Sequence, residues 1–346
     1  MQMKNNEFYF IAEIGVNHEG CLDKALEMVQ QVSDAGAHAA KFQVYKAESL
    51  VVKSAESYWD TNFESTKSQY DLFKKYDKFN EKEYDIIHKK CMDCGIDFLA
   101  TPFDLEAVEM LDKYSNSFKI ASADLTNVPL LEKVANKRKH IFISSGASTL
   151  TEVEYALHIL ENNGAPSISL LHCVLNYPCS INNSYLSNIK TLKSKFETEK
   201  VSIGYSDHIP TSEVNDDQLI VALTMGCRVF ERHYTYNKML PGNDHYHALD
   251  FLSLQIIIKR INNLMDTLGS VTESELLSNQ KDARLQARRS IIVKKAKTAG
   301  ETLNIDDLIC KRPGTGISPL EIDNIIGKEL AENVPADTIL EYKHIR

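Results

Sequence analysis

Eight short apolar runs in this chain end in polar or charged residues: Glu13 with Asn17 and His18; Lys41 and Gln43; Thr101; Lys119 and Ser122 with Asp124; Ser144 and Ser145; His172; Ser206, Asp207 and His208; Glu231 and His233. Burying such groups without partners is costly, so packing alone gives no reason for the pattern. Lys41 and Lys119 interrupt otherwise apolar sequence, Ala-Ala-Lys-Phe-Gln and Phe-Lys-Ile-Ala-Ser, where an ammonium needs an anion. With Ser122, Ser144 and Ser206 they form the donor set of a phosphate or carboxylate cradle. The plainer alternative is that each lysine pairs with a strand carboxylate such as Glu13 or Glu231, but two lysines and three hydroxyls exceed that structural need.

His208 and His233 close successive runs. Two imidazoles there, oriented by Asp207 or Glu231, can hold one divalent ion with open positions, an arrangement suited to polarising a carbonyl. The segment Leu240-Pro-Gly-Asn-Asp-His-Tyr-His follows the last run; Asp244 can reach inward as an acid or as an acceptor for a sugar hydroxyl, while His245 and His247 read equally well as solvated loop residues. His88, His140 and His158 fall on helices or strand starts and take no role.

The elements that must position these groups are legible in the periodicity. Strands are predicted at Phe8–Gly15, Ala39–Val44, Asp97–Ala100, Ser117–Ala121, His140–Ser144, Ile168–Cys173, Val201–Gly204 and Arg228–Glu231. Helical patterns separate them: Leu22–Ala35, Glu81–Cys94, Leu105–Tyr114, Val128–Asn136, Leu150–Asn162, Tyr185–Phe196, Asp217–Met225 and Phe251–Leu268. Strict alternation implies a parallel sheet, and eight units in this length imply an α/β fold of the (β/α)8 TIM-barrel type, with an open doubly wound sheet as the runner-up. A barrel brings every run end to one mouth. The predicted organisation is a catalytic barrel over 1–269, a polar linker over 270–286, and a small β-rich domain over 287–346 whose core is too slight to stand undocked.

The chain has 346 residues, 43% of them hydrophobic, with 39 Lys plus Arg against 48 Asp plus Glu and a net charge of -9. The acidic balance argues against nucleic acid as a partner. Met1 to Glu7 has no apolar core, no stretch has the length of a membrane helix, and seven scattered cysteines suit reduced thiols, so a cytoplasmic protein without a membrane partner is expected. Cys91 and Cys94 form a lone CxxC pair best explained by packing.

The stretches Ala12-Glu-Ile-Gly-Val-Asn-His-Glu-Gly20, Lys41-Phe-Gln43, Thr101-Pro-Phe-Asp104, Lys119-Ile-Ala-Ser122, Leu171-His-Cys173, Gly204-Tyr-Ser-Asp-His208, Glu231-Arg-His233 and Lys311-Arg-Pro-Gly-Thr-Gly316 together resemble the sialic acid (nonulosonate) synthases, over nearly the whole chain. The resemblance implies a TIM barrel followed by an antifreeze-like (SAF) domain in a domain-swapped homodimer. It implies phosphoenolpyruvate as donor, an N-acetylated hexosamine as acceptor, and Mn2+, Mg2+ or another divalent cation. By motif, Lys41, Thr101, Lys119, Ser122, Ser144 and Ser206 are implied phosphoenolpyruvate ligands and His208 and His233 metal ligands. Gln43, Tyr177, Asp124 and Asp244 are implied around the acceptor and reaction centre, Glu13 as a catalytic carboxylate, and Arg312 as a contact to the acceptor's N-acetyl region from the other subunit.

The implied reaction is attack of phosphoenolpyruvate C3 on the open-chain sugar aldehyde, water addition at C2, and loss of phosphate to give a 2-keto-3-deoxy acid. Departures from the family pattern lie on the acceptor side: Leu175 two before Tyr177, Asn243 for a common proline, and Tyr58–Gln69. N-acetylmannosamine and a 2,4-diacetamido-6-deoxy hexose both remain open as acceptors. The rival readings are a barrel synthase acting on a phosphorylated aldose, for which no surplus basic cluster is present, and a non-catalytic carbohydrate-binding protein.

Overall fold

The computed structural model describes residues 7–59, 61–62, 64–211, 215–242, 244–269 and 271–346. Asn243 and nearly all of the Met1–Glu7 segment lie outside them. The chain divides into two compact units, Met1–Gly269 and Ser270–Arg346.

The first unit holds eight strands, β1 (Tyr9–Gly15), β2 (Ala39–Val44), β3 (Asp97–Pro102), β4 (Ser117–Ile120), β5 (His140–Ser144), β6 (Ile168–His172), β7 (Val201–Asp207) and β8 (Val229–His233). They pair in parallel in the order β3-β2-β1-β8-β7-β6-β5-β4, and β3 and β4 stand side by side where the ring closes. Sequential order around a ring excludes the open-sheet alternative, and the fold is a (β/α)8 barrel. β7 runs three residues beyond its predicted end and β8 two, which puts Ser206 and His233 inside strands.

Period-2 alternation explains how one sequence serves both core and site. Along β1, Phe10, Ala12 and Ile14 pack outward under the helices, as do Ala40, Phe42 and Val44 on β2 and Phe118 and Ile120 on β4. The opposite parity begins with a separate interior cluster, Tyr9, Ile11, Ala39, Leu99, Phe142, Leu171 and Val229. Two residues further along, that same inward series reads Glu13, Lys41, Thr101, Ser144, Cys173 and Glu231. The apolar layer is thus the floor on which a polar layer rests.

Helices α1 (Leu22–Asp34), α4 (Glu81–Asp93), α5 (Leu105–Leu111), α6 (Val128–Ala135), α7 (Leu150–Asn162), α8 (Asn188–Phe196), α9 (Asp217–Thr224) and α10 (Phe251–Leu268) alternate with the strands. Two more, α2 (Ala47–Leu50) and α3 (Gln69–Tyr76), lie in the long β2–α4 connection and carried no clear periodic signal. Short polar caps start several: Asp104 accepts the Ala107 amide, Thr149 and Glu152 form a capping box, and Asp250 accepts the Ser253 amide. No helix among the described residues is long and apolar enough to cross a membrane.

The second unit contains helices α11 (Glu273–Ser278) and α12 (Lys281–Ala287) in the stretch read as a linker, then an antiparallel pair, β9 (Ser290–Val293) and β10 (Leu308–Lys311). Ile291, Val293, Leu303, Leu308, Ile317 and Leu340 are among its core residues. Buried Ser290 donates to the Pro313 carbonyl at 2.7 Å and accepts the Gly316 amide at 2.9 Å, which fixes the turn presenting exposed Arg312. Gly314 and Gly316 are required there, since a Cβ would come within 2.7 Å of the Arg288 Cβ and 2.2 Å of the Ile339 Cγ2.

Candidate active site

A cavity of about 460 Å³ opens at the C-terminal ends of the barrel strands, a size in the range of small-molecule sites. Every barrel residue singled out from the sequence as catalytic, substrate-binding or metal-binding lines it; Arg312 belongs to the second unit. Ser145 and His172, strand-end residues without an assigned role, turn elsewhere: Ser145 donates to the Leu171 carbonyl and His172 to that of Ser184.

Neighbouring strands set the charges side by side. The β1–β2 register pairs Glu13 with Lys41, and β1–β8 pairs Glu13 with His233. Lys41 Nζ lies 2.6 Å from Glu13 Oε2, 3.1 Å from Thr101 Oγ1 and 3.8 Å from Glu231; Lys119 Nζ lies 3.7 Å from Glu231 and donates to the Ile120 carbonyl at 3.0 Å. Both lysines therefore have carboxylate neighbours, as the plainer sequence reading anticipated, but unequally. Burial opposes the charge on Lys41, yet Glu13 and Glu231 outweigh it and hold the ammonium above its ordinary value. On Lys119 burial prevails over Glu231 and the value falls. Lys119 is short of negative charge, and nearby Ser144 Oγ is buried with no hydrogen-bond partner. Ser122 Oγ accepts the Gly146 amide at 3.0 Å, a close approach that only glycine permits, because a Cβ on Gly146 would sit 2.8 Å from that oxygen.

The opposite wall carries imidazoles. The His208 and His233 ring centroids are 5.3 Å apart. His208 Nδ1 donates to the Val174 carbonyl at 2.8 Å, and since a carbonyl only accepts, the Nε2 lone pair is left for another electrophile. His233 Nδ1 is buried without a hydrogen-bond partner, 3.6 Å from Asp244 Oδ2. The orienting partners expected from sequence are engaged elsewhere. Asp207 accepts from Arg232, Gln218, Tyr205 and the Ile209 amide, and Glu231 faces the lysines and Ser206. A backbone carbonyl orients His208 instead.

His245 and His247 are not solvated: both are buried, and His247 forms with His233 and Asp244 a group whose ligand atoms lie within 4.8 Å of one another. Burial pushes His233 and His247 well below the ordinary imidazole value, His247 adding to the shift on His233 and His208 to that on His247, so both present neutral lone pairs. Asp244 is raised to about 7, first by burial and then by Glu13. Neutral imidazole nitrogens buried without hydrogen-bond partners beside a carboxylate fit a divalent cation.

Between cradle and imidazoles, the Glu13 carboxylate accepts from Gln43 at 2.9 Å. The Tyr177 ring lies tilted against that of His208, 4.2 Å between centroids, and half-buried Asp124 accepts from Asn127 while its buried Oδ2 has no hydrogen-bond partner. Sequence reading missed the cavity's aromatic side: Tyr45, Trp59, Phe73, Tyr76 and Phe103. Most come from the β2–α4 connection, whose aromatics follow no regular period.

Two family models match the chain, the NeuB family over residues 28–273 and the SAF domain over residues 288–346. The chain is 36% identical over 349 residues to an N,N'-diacetyllegionaminic acid synthase of Legionella pneumophila, covering 97% of this chain and 94% of the relative. It is 34% identical to an enzyme of the same name from Campylobacter jejuni, covering 95% and 98%. Among solved structures, an N-acetylneuraminic acid synthetase of Leptospira borgpetersenii in complex with citrate superposes with a TM-score of 0.68 at 32% identity, over 81% of this chain and 91% of that one. With fold, site and near full-length similarity in agreement, the chain belongs to the NeuB family of nonulosonic acid synthases, with a C-terminal SAF domain.

Proposed function

We propose that the protein condenses phosphoenolpyruvate with an unphosphorylated N-acetylated hexosamine to a nine-carbon 2-keto-3-deoxy acid and phosphate, with a divalent cation such as Mn2+ bound at His208 and His233. The observation that carries this reading is the meeting, in one cavity, of an undercompensated Lys119 and the unpartnered Ser144 hydroxyl with the facing His208 and His233 rings, one His233 nitrogen being buried without a hydrogen-bond partner. The first set suits a phosphate and carboxylate, the second a Lewis acid beside a carbonyl.

In this mechanism Lys41, Lys119, Thr101, Ser122, Ser144 and Ser206 hold phosphoenolpyruvate with C3 facing the acceptor aldehyde. The cation, when bound, polarises that carbonyl and offsets the charge developing on its oxygen. Asp244, whose carboxyl pKa is raised by burial and then by Glu13, is placed to supply the proton to this oxygen as the C–C bond forms. Glu13, held by Gln43 and Lys41, orients and deprotonates the water that adds at C2. The resulting tetrahedral centre expels phosphate by C–O cleavage while the lysines retain its charge. Gln43, Asp124 and Tyr177 position the acceptor.

Among the described residues lining the cavity, Lys41 and Lys119 are the only lysines or arginines, which disfavours a phosphorylated aldose that needs a second anion site. The diacetyllegionaminic acid synthases among the relatives favour a 2,4-diacetamido-6-deoxy hexose over N-acetylmannosamine. The test is phosphate release from phosphoenolpyruvate with Mn2+ and either sugar, a phosphorylated aldose or none, with EDTA controls. Release with one unphosphorylated aminosugar alone, abolished by EDTA, is expected; release only with the phosphorylated aldose overturns the acceptor assignment.

A further inference from the structure

We propose that His247 is a third imidazole ligand of the cation, joining His208 and His233, and that it biases the site towards later first-row metals and away from Mg2+. This rests on the reading that a divalent cation binds at His208 and His233. The His247 side chain is about 1% exposed, and both of its ring nitrogens are buried without a hydrogen-bond partner. An imidazole with a purely packing role satisfies at least one nitrogen, because a buried, unpaired polar atom is costly. Here both are left open, and one is aimed at the His233 and Asp244 ligand atoms within 4.8 Å. The His247 ring centroid lies 4.9 Å from that of His233 and 6.2 Å from that of His208, so the three rings surround one space.

The backbone holds this arrangement in place. The loop after β8 returns to the strand it left: Leu249 N–H donates to the His233 carbonyl at 2.8 Å, and Thr235 N–H donates to that of Leu249 at 2.8 Å. The His247 carbonyl accepts from Arg232 at 3.4 Å, and Arg232 is itself locked in the barrel wall by Asp207 and Asp216. His247 is therefore tied to the strand carrying His233 at two successive residues. A donor set of three imidazoles suits Co2+, Zn2+ or Fe2+, whereas Mg2+ prefers oxygen and retained water.

The test is metal binding by the EDTA-stripped full chain, followed by titration calorimetry and by the visible spectrum of bound Co2+, without substrates. Wild-type protein is expected to bind one Co2+ at least about tenfold more tightly than His247→Ala, with altered Co2+ bands in the variant and a change in Mg2+ affinity below about threefold. His247→Gln, which keeps bulk and polarity, should show the same Co2+ loss, and circular dichroism of both variants checks that they fold. If both variants bind Co2+ as wild type does while His208→Ala or His233→Ala loses it, His247 is not a ligand and the two-histidine site stands. If wild type binds no Co2+, or none of the histidine substitutions matters, the cation site itself is refuted and the His247 assignment falls with it.

Discussion

The Lys41 ammonium lies 2.6 Å from the Glu13 carboxylate, with both side chains almost wholly buried. Beside them Lys119 faces Glu231, so two cations and two anions lie together with no net charge, Lys119 being the less compensated of the cations. One undercompensated lysine does not offset phosphoenolpyruvate, a multiply charged anion, without a further positive charge. In the proposed reaction a divalent cation at the imidazole wall would supply it.

Donor and cation should therefore bind cooperatively. Trp59 lines the cavity and is the sole tryptophan of the chain, so its fluorescence can report phosphoenolpyruvate binding. Removing metal with EDTA should weaken phosphoenolpyruvate at least about tenfold, and by linkage phosphoenolpyruvate should tighten Mn2+ by the same factor. Equal affinity with and without metal would show that the lysines hold the donor unaided.

Much of this site was legible because barrel strands alternate. Lys41 and Lys119 stand out in apolar sequence, and the inward parity carries Glu13, Thr101, Ser144 and Glu231 to the same level. What escaped was set by loops and by competition between partners. His247 looks like a solvated loop residue until the return of Leu249 to the His233 carbonyl folds it inward. Asp207 adjoins His208 in sequence but alternates to the other face of β7, where Arg232 claims it. The aromatic side, Trp59 to Tyr76, sits in an irregular connection with no period to read.

Gly15 couples the backbone to the Glu13 carboxylate. Its φ is +55°, and a Cβ there would lie 3.1 Å from Gln43 Nε2 and 3.2 Å from Glu13 Oε1. Gly15→Ala should lower stability by about 1–2 kcal/mol through left-handed strain and reduce turnover at least about tenfold by displacing the Glu13–Gln43 pair. Denaturant titration with steady-state kinetics separates the two effects. An unchanged kcat in folded variant would remove the need for this placement of Glu13.

Asp124 is half-buried and desolvation raises its pKa, while one carboxylate oxygen is buried with no hydrogen-bond partner, as suits a group awaiting an acceptor hydroxyl. Asp124→Asn should raise KM for the aminosugar about tenfold and leave phosphoenolpyruvate affinity by Trp59 fluorescence within about threefold. Loss of donor affinity instead would move Asp124 to the phosphoenolpyruvate side.

His18 gives the fold an acid limit. Its ring stacks on Phe79 at 4.4 Å and its Nδ1 accepts the Gly20 amide, which only the neutral ring can do. Burial pushes its pKa from 6.5 down to about 4. The unfolded chain therefore takes up the proton first, so the stabilising contribution is complete above pH 6.5 and is lost as pH falls towards 4. At about 1.4 kcal/mol per pH unit the loss approaches about 3 kcal/mol. His18→Gln, whose amide oxygen can accept the same N–H, should flatten the stability profile between pH 6.5 and 4 in denaturant titrations. An unaltered slope would assign the acid sensitivity to His140, also lowered to about 4 by burial.

Arg312 is the residue whose proposed role calls on a second chain. It is exposed on a turn that Ser290 fixes through the Pro313 carbonyl and the Gly316 amide. If this turn serves the acceptor of a partner's barrel in a domain-swapped homodimer, Arg312→Ala should raise KM for the aminosugar at least about tenfold with little change in phosphoenolpyruvate affinity. Lys41→Met should abolish activity by removing the donor cradle. The decisive measurement mixes the two inactive or impaired variants after subunit exchange. In a mixed dimer the Lys41→Met chain lends its intact Arg312 to the intact barrel of the other chain, restoring one complete site, so activity at saturating exchange should recover to about a quarter of wild type. If Arg312 acts within its own chain, neither barrel of the mixed dimer is whole and no recovery occurs.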